Sequence, residues 1–187
     1  MEIVTPIIET KRLVLSGFGE DDKDDIFVVT SNPSVSRYTA WNTHKSIEDT
    51  LCYIEWAKVK ANPELGKVFY CRAIRLKSDM IFIGAIDFTQ KSERVGQIDY
   101  MLSEEYWNKG IMTEAAKSVV TWAFTTIPGL DEIQCYGLSE NAGSMRVMEN
   151  IRLSFRRKTM RKLEKFGDTK QEVSYYYATR NAWLEND

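Results

Sequence analysis

The chain predicts one α+β domain with a mixed, mostly antiparallel sheet flanked by helices, on three observations. Short β-rich runs at 68–76, 80–88 and 97–102 follow one another with no helix between them, the pattern of antiparallel neighbours. A strongly amphipathic helical run, 110–126, is bracketed by that third run and a buried strand-like run at 133–138, which puts a strand-helix-strand crossover in the middle of the sheet. No internal repeat, linker or low-complexity tract divides residues 1–187, so the expectation is a single domain over that whole length.

Taken in order, residues 13–18 alternate apolar and small side chains and read as a first strand. The acidic residues Glu20, Asp21, Asp22, Asp24 and Asp25 then lead into Ile26, Phe27, Val28 and Val29. Carboxylates are favoured in a first helical turn by the macrodipole, so the run reads as a solvated helix start, with attraction of a cationic substrate as the rival reading. "SNPSVSRYTAW" is a Pro-broken connection. Ser46 with Asp49 resembles a capping box, and Ile47, Leu51, Ile54, Trp56 and Val59 predict a helix to about Ala61, although Lys58 interrupts the apolar stripe. The runs 68–76 and 80–88 are joined by "KSD", long enough for a hairpin turn. In 110–126, Ile111, Ala115, Val119, Trp122 and Ala123 recur at helical spacing, and Ala116, Val120 and Phe124 widen the same face. "SENAGSMRVMENI" supplies a short helix, and the strands 154–163 and 172–179 close the sequence around "KFGD".

Composition excludes more than it identifies. Hydrophobic residues are 43% and charged residues 28% of 187, a profile that excludes disorder as the main state. A domain this long buries roughly 70% of the surface its unfolded chain exposes, enough to fold without metal or disulfides. Lys and Arg number 25 against 27 Asp and Glu, for a formal charge of −2. That balance argues against stable nucleic-acid binding. Cys52, Cys71 and Cys135 form no C-x-x-C pair, and His44 has no second histidine, so neither a zinc site nor a Ser-His-Asp triad is expected and no metal is assigned. Three scattered cysteines fit reduced thiols in a cytoplasmic protein. The first fifteen residues carry no signal-peptide pattern, and no stretch approaches the ~20 apolar residues of a membrane span.

The most informative stretch is "IDYMLSEEYWNKGIMTEAAKSVVTWAF", a strand, a polar turn and the amphipathic helix. Backbone amides from Asn108 through Thr113, by way of Lys109, Gly110, Ile111 and Met112, lie at the start of that helix, where N–H groups lack intrahelical acceptors and the macrodipole is positive. An anion fits there. Lys109 adds charge, and Gly110 lets the backbone approach a phosphate oxygen. The other glycines of a Walker A loop or a dinucleotide fingerprint are missing.

Read together with "NAGSMRVMENIRLSF" and "ETKRLVL", this stretch resembles the GNAT superfamily of acyl-CoA N-acyltransferases, in particular its RimJ/RimL-type branch of ribosomal-protein N-terminal acetyltransferases. The branch's T-x-R-L opening corresponds to Thr10, Lys11, Arg12 and Leu13. Its "GYW" strand corresponds to Asp99, Tyr100 and Met101, its "YWGKGYATEA" to the segment from Tyr106 to Ala115, and its "N-x-x-S-x-R-V-L-E-K-x-G" to the segment from Asn141 to Arg152. The likeness covers nearly the whole chain in order and spacing.

The resemblance implies acetyl-CoA as cosubstrate, bound where two strands, 97–102 and 133–138, splay apart. It implies a pantetheine arm on the backbone of Tyr100, Met101 and Leu102, and a pyrophosphate on the amides of residues 108–113. Asn141 is then expected to hydrogen-bond the pantetheine or adenosine part, and Ser144 to lie near the thioester sulfur as the candidate acid. The plain alternative for Asn141 and Ser144 is helix capping. The acceptor is a primary amine, with a protein N-terminal α-amino group as the first candidate. An antibiotic or polyamine is the second, and a catalytically weak acyl-CoA-binding module is a third reading, motivated by Gln97 and Met112. A monomer or homodimer without a membrane partner is expected.

Transfer needs an oxyanion donor, for which the amide of Met101 or Leu102 is the candidate, and a base for the amine. At pH 7 an α-amino group is neutral roughly 15% of the time and a lysine amine well under about 0.1%, given reference pKa values near ~7.8 and ~10.4. The sequence departs from the branch at three points. Gln97 stands where a glutamate is usual and cannot be a base; Asp99, on the same face by strand alternation, is the replacement candidate, directly or through a water, and equally a structural hydrogen-bonded residue. Tyr100 and Tyr136 are other proton-donor candidates. Met112 replaces Gly or Ala and Asn108 replaces Gly in the turn, which predicts a narrower approach. Arg152 occupies a glycine position of positive φ, at a cost on the order of 1 kcal/mol, with Asn150 as a substitute cap. Of the remaining signals, Arg156 to Lys162 reads as a solvated strand face or a basic patch. Tyr38 and Trp41 are acceptor-pocket or core aromatics, and His44 is an exposed loop residue without a role.

Overall fold

The computed structural model describes residues 6–60 and 68–185. Its centre is an eight-stranded sheet in the order β1-β2-β3-β4-β5-β6-β8-β7. The strands are β1 (Ile8–Glu9), β2 (Leu13–Ser16), β3 (Phe69–Leu76), β4 (Phe82–Gln90), β5 (Val95–Leu102), β6 (Glu132–Leu138), β7 (Ser154–Lys162) and β8 (Lys170–Thr179). Every neighbouring pair is antiparallel except β5 and β6, which are parallel because α4 (Ile111–Thr126) carries the chain back between them.

Strand alternation gives the sheet two apolar faces. On one, Ile86, Phe88 and Ile98 pack with the α4 residues Ala115, Val119, Val120 and Phe124, with Met148 of α5 (Ala142–Asn150) and with Trp183 of α6 (Arg180–Leu184). On the other, Ala85 and Met101 pack with Ile26 and Val29 of α1 (Lys23–Thr30), Val35 of α2 (Pro33–Ser36) and Ile54 of α3 (Ile47–Lys60). Each fully buried Ile, Val or Phe contributes about 1.5–3 kcal/mol through the water it releases. All eight apolar residues that mark the α4 stripe are buried.

Differences from the sequence reading have local causes. The two-residue β1 is too short to carry a period, and α6 starts at Thr179, whose side chain accepts from the Ala182 amide. The Pro-broken connection contains α2, capped by Asn32 with Pro33 in its first turn. The hairpin after β3 takes in Met80 and Ile81, because Met80 adopts φ 60° and cannot begin a strand. In α3 the buried side is Thr50, Ile54 and Ala57, leaving Trp56 and Val59 exposed, so Lys58 interrupts nothing; the expected end at Ala61 lies outside the described residues. The acidic run is mostly solvated, but Asp22 caps through the Gly19 amide and pairs with Arg75. Among the described residues no helix is long and apolar enough to cross a membrane.

Candidate active site

The parallel register joins Val95 to Glu132, Gly96 to Ile133 and Gln97 to Gln134, and among the described residues it goes no further. Beyond that point β5 stays on β4 up to Leu102 while β6 stays on β8 up to Leu138, so the two strands diverge. Gly84 makes the close β4–β5 approach possible at the open end: a Cβ there would stand 2.4 Å from the Met101 carbonyl oxygen.

A turn closes over this fork. Asn108 at φ 59° and Gly110 at φ 70° are both left-handed, a conformation that Asn tolerates better than most side chains and that Gly adopts freely. Gly110 is the N-cap of α4 without a side-chain cap, and the first intrahelical bond is donated by Glu114 to the Gly110 carbonyl. The amides of Ile111, Met112 and Thr113 are left for an anion. Met112 is only 4% exposed and packs in the core, while the residue also lines the cavity. The Lys109 ammonium sits over the Tyr106 ring, 5.4 Å from its centroid, and Lys109 is outside the cavity lining.

The turn is held from the opening strand. Glu114 accepts from Thr10 Oγ1 at 2.5 Å, from the Arg12 amide at 2.8 Å and from Arg12 Nε at 2.7 Å. Arg12 Nη1 also donates to the Lys109 carbonyl at 2.9 Å. Burial raises the Glu114 pKa, but the Thr10 and Arg12 hydrogen bonds outweigh it and the carboxyl lies below its ordinary value. The T-x-R-L wording and the glutamate of "MTEA" are therefore one device. Sequence reading assigned Arg12 and Glu114 no role, since nothing in spacing joins residues 102 apart.

One cavity of ≈ 1220 Å³ runs through the fork, larger than the roughly 300–1,000 Å³ of common small-molecule pockets. Its lining includes Asp99, Tyr100, Met101, Leu102, Asn108, Gly110, Ile111, Met112, Thr113, Asn141 and Ser144. The arm on the α1–α3 side is walled by Tyr38, Trp41, His44, Tyr53 and Trp56. His44 is half-buried, not an exposed loop residue: its Nδ1 is 2.9 Å from Thr50 Oγ1 and its ring packs near Trp41 and Tyr53. Lys165, beyond β7, donates to the Ser36 carbonyl and ties that hairpin to α2 at the same end.

Asp99 and Tyr100 are consecutive and so face opposite sides of the sheet. On the arm side, Gln97 Nε2 donates to Asp99 Oδ2 at 2.7 Å, and burial raises the Asp99 pKa against that hydrogen bond. On the other side Tyr100 Oη is 3.0 Å from Ser144 Oγ. Burial holds the Tyr100 phenol well above its ordinary range. Asn141 is the N-cap of α5, accepting from the Ser144 amide at 3.1 Å, and lines the cavity as well. Arg152 adopts φ 63°, with its amide bonded to the Glu149 carbonyl and the Leu153 amide to the Met148 carbonyl. That is a Schellman motif, with Arg152 and not Asn150 at its left-handed position after the Ile151 C-cap. Tyr136 stacks on Tyr175 under Arg161, and on β7 Arg157 and Lys158 are both exposed, on opposite faces of the strand.

A fork between parallel strands, a glycine-capped helix start beside it and a cavity reaching both occur together in this chain. The chain belongs to the GNAT acetyltransferase family: the profile described as acetyltransferase (GNAT) domain matches residues 12–154. The N-acetyltransferase YoaA of Bacillus subtilis (strain 168) is 30% identical over 146 residues, 76% of this chain and 80% of that relative. The fold is shared with the spermidine N-acetyltransferase of Vibrio cholerae in complex with CoA and spermine, at 16% identity and TM-score 0.74 over 94% of this chain and 99% of that one. It is shared equally with RimL, a ribosomal L7/L12 alpha-N-protein acetyltransferase in complex with coenzyme A, at 16% identity and TM-score 0.76 over 95% and 98%. The protein is thus an acetyl-CoA-dependent N-acetyltransferase.

Proposed function

We propose that the acceptor is a primary amine entering through the aromatic arm, and that Asp99 and the Tyr100–Ser144 pair serve the two proton transfers. The observation that carries this is the placement of a carboxylate and a hydroxyl pair on consecutive residues of β5, on opposite faces, where pairing with β6 has stopped. A thioester threaded through the fork meets a proton acceptor on the amine's side and a donor on the sulfur's side.

In this reading the amides of Ile111, Met112 and Thr113 bind the pyrophosphate and the β5 edge from Tyr100 to Leu102 holds the pantetheine. Asp99 takes a proton from the ammonium and frees the nitrogen lone pair for attack on the carbonyl carbon. The amide of Met101 or Leu102 stabilises the oxyanion as it forms. When the C–S bond breaks, the thiolate takes a proton from the Tyr100–Ser144 pair.

A protein N-terminal α-amino group is the first acceptor reading, because its amine is neutral far more often than a lysine's and suits a weak base. A small cationic amine is the second, favoured by the aromatic wall. We place the enzyme in the cytoplasm. Thiol release from acetyl-CoA, followed with amino-terminal peptides of ribosomal proteins, polyamines and free lysine, separates the two. Turnover confined to peptides supports the first reading, turnover confined to polyamines the second, and no turnover above hydrolysis overturns both.

A further inference from the structure

Asp87 on β4 and Asp99 on β5 are direct cross-strand partners. Their Cα atoms are therefore about 5 Å apart and their side chains share the α1–α3 face. Both line the aromatic arm. Asp99 has Gln97 as its donor, and the Cys71 thiol reaches Asp87 from β3, but Asp87 Oδ1 is shielded from solvent with no hydrogen-bond partner. A buried carboxylate oxygen without a donor is rare in folded proteins and asks for an explanation. A proton shared with Asp99, or an ammonium from the arm, supplies the missing donor.

The groups acting on the pair come from four elements. Cys71 stands beside Asp87 on β3 with the Tyr53 hydroxyl of α3 behind it at 3.9 Å. Lys91, just past β4, acts on Asp99 as a cation, while Cys135 of β6 lies on the other face of the sheet beside Tyr100 and feels the Asp99 charge from there. Two carboxylates on one face of neighbouring strands in an apolar setting raise each other's cost of ionising. Burial, with Asp99 as a charged neighbour, pushes Asp87 up to about 7.

Resting on the reading of this cavity as an amine-acetylating site, we propose that its base is the Asp87–Asp99 pair, with Asp87 a second catalytic carboxylate that contacts the acceptor nitrogen. The acceptor class follows. A nucleophile that arrives as an ammonium ion places a cation between two carboxylates, whereas a neutral alcohol or amide finds a site short of donors. The ammonium gives one proton to the pair, its lone pair forms the N–C bond as the thioester C–S bond breaks, the second proton leaves for solvent as the product amide forms, and the pair then passes its own proton to solvent. The thiolate is protonated by the hydroxyl pair, which solvent resupplies, so one proton is released per turnover.

Two measurements decide it. Carboxyl carbon NMR of the full chain, titrated without substrates, should show Asp87 and Asp99 titrating as a coupled pair, with Asp99→Asn drawing the Asp87 midpoint towards the ordinary aspartate value. Independent titration of Asp87 at an ordinary value, unmoved by Asp99→Asn, overturns the proposal. In the amine panel, Asp87→Asn and Asp99→Asn should each lower kcat about 10²-fold or more, with the double variant little worse than the poorer single one. Calorimetric CoA affinity close to wild type shows each variant folded. An Asp87→Asn enzyme with wild-type kcat and pH profile overturns the proposal. A wild-type enzyme that acetylates no amine sinks the functional reading instead, and the titration alone then decides whether the pair exists.

Discussion

Arg12 Nε donates to Glu114 Oε2 at 2.7 Å, and this bond fastens the turn between β1 and β2 to the first turn of α4, where the backbone amides lack intrahelical acceptors. The carboxylate collects two more bonds, from Thr10 and the Arg12 amide. Through Arg12 it also steadies the Lys109 carbonyl inside the turn. Charge-assisted bonds of this kind stabilise by about 1.5–3 kcal/mol, reduced here because Arg12 is half-exposed. Glu114→Ala should therefore lower stability by about 1–2 kcal/mol and raise the CoA dissociation constant on the order of tenfold, about 1.4 kcal/mol. Calorimetry and a denaturant titration measure the two effects.

The same carboxylate predicts an acid dependence. Its folded pKa is depressed below the ordinary value of 4.5, so its contribution is fully present above that value and is lost as pH falls through the lower folded one. Between neutral pH and the acid transition, wild type should lose more stability than Glu114→Gln. Parallel acid unfolding curves for the two would remove Glu114 from the account.

Asn108 and Gly110 hold the turn by their left-handed backbone, and they should respond differently to substitution. Asn108→Gly keeps that conformation and should leave CoA affinity within about twofold. Gly110→Ala costs about 1 kcal/mol in backbone strain, and any rotation to relieve it swings the Ile111 and Met112 amides away from the anion. CoA binding should weaken severalfold while the fold persists. Equal affinities for the two variants would mean that the amides are not the anion site.

Arg152 presents the opposite case, a side chain where glycine fits better. At φ 63° in a Schellman cap, Arg152→Gly should stabilise the protein by up to about 1 kcal/mol and raise Tm by a few degrees, provided the Leu153–Met148 contact is kept. A lower Tm would show that the Arg152 side chain matters more than its backbone.

Much of this architecture was legible because it is periodic or punctuated. The α4 stripe and Gly110 are patterns within twenty residues, the crossover follows from three consecutive runs, and the family wording located the fork between β5 and β6. What escaped was joined across strands. Arg12 and Glu114 meet only because the β1–β2 turn lies against the first turn of α4, and Asp87 meets Asp99 only through the β4–β5 register. No alternation in "IGAIDFTQ" distinguishes a carboxylate facing a cavity from one facing water. His44 was misread because the connection folds back on α3, so that its ring meets Trp41 and Tyr53, a turn that no periodic pattern announces.

The hydroxyl pair on the sulfur side gives the last prediction. Tyr100 Oη is 3.0 Å from Ser144 Oγ and 3.3 Å from the Ser144 carbonyl, so it is positioned twice while the serine hydroxyl is free to turn. Burial, and then the neighbouring Cys135, raise the phenol, against a smaller downward pull from Ser144, and the group stays protonated over the whole working range. A donor that never loses its proton adds no descending alkaline limb to the rate. Tyr100→Phe should therefore lower kcat by about 10–100-fold at every pH, with the CoA dissociation constant nearly unchanged and a stability loss of about 1 kcal/mol for one buried hydrogen bond. Ser144→Ala should be milder, because the phenol remains, and the double variant should fall short of the product of the two, since paired groups act as a unit. If Ser144→Ala is the more damaging variant, the serine is the donor and Tyr100 only orients it; if neither changes kcat, thiolate departure needs no acid from this side of the fork.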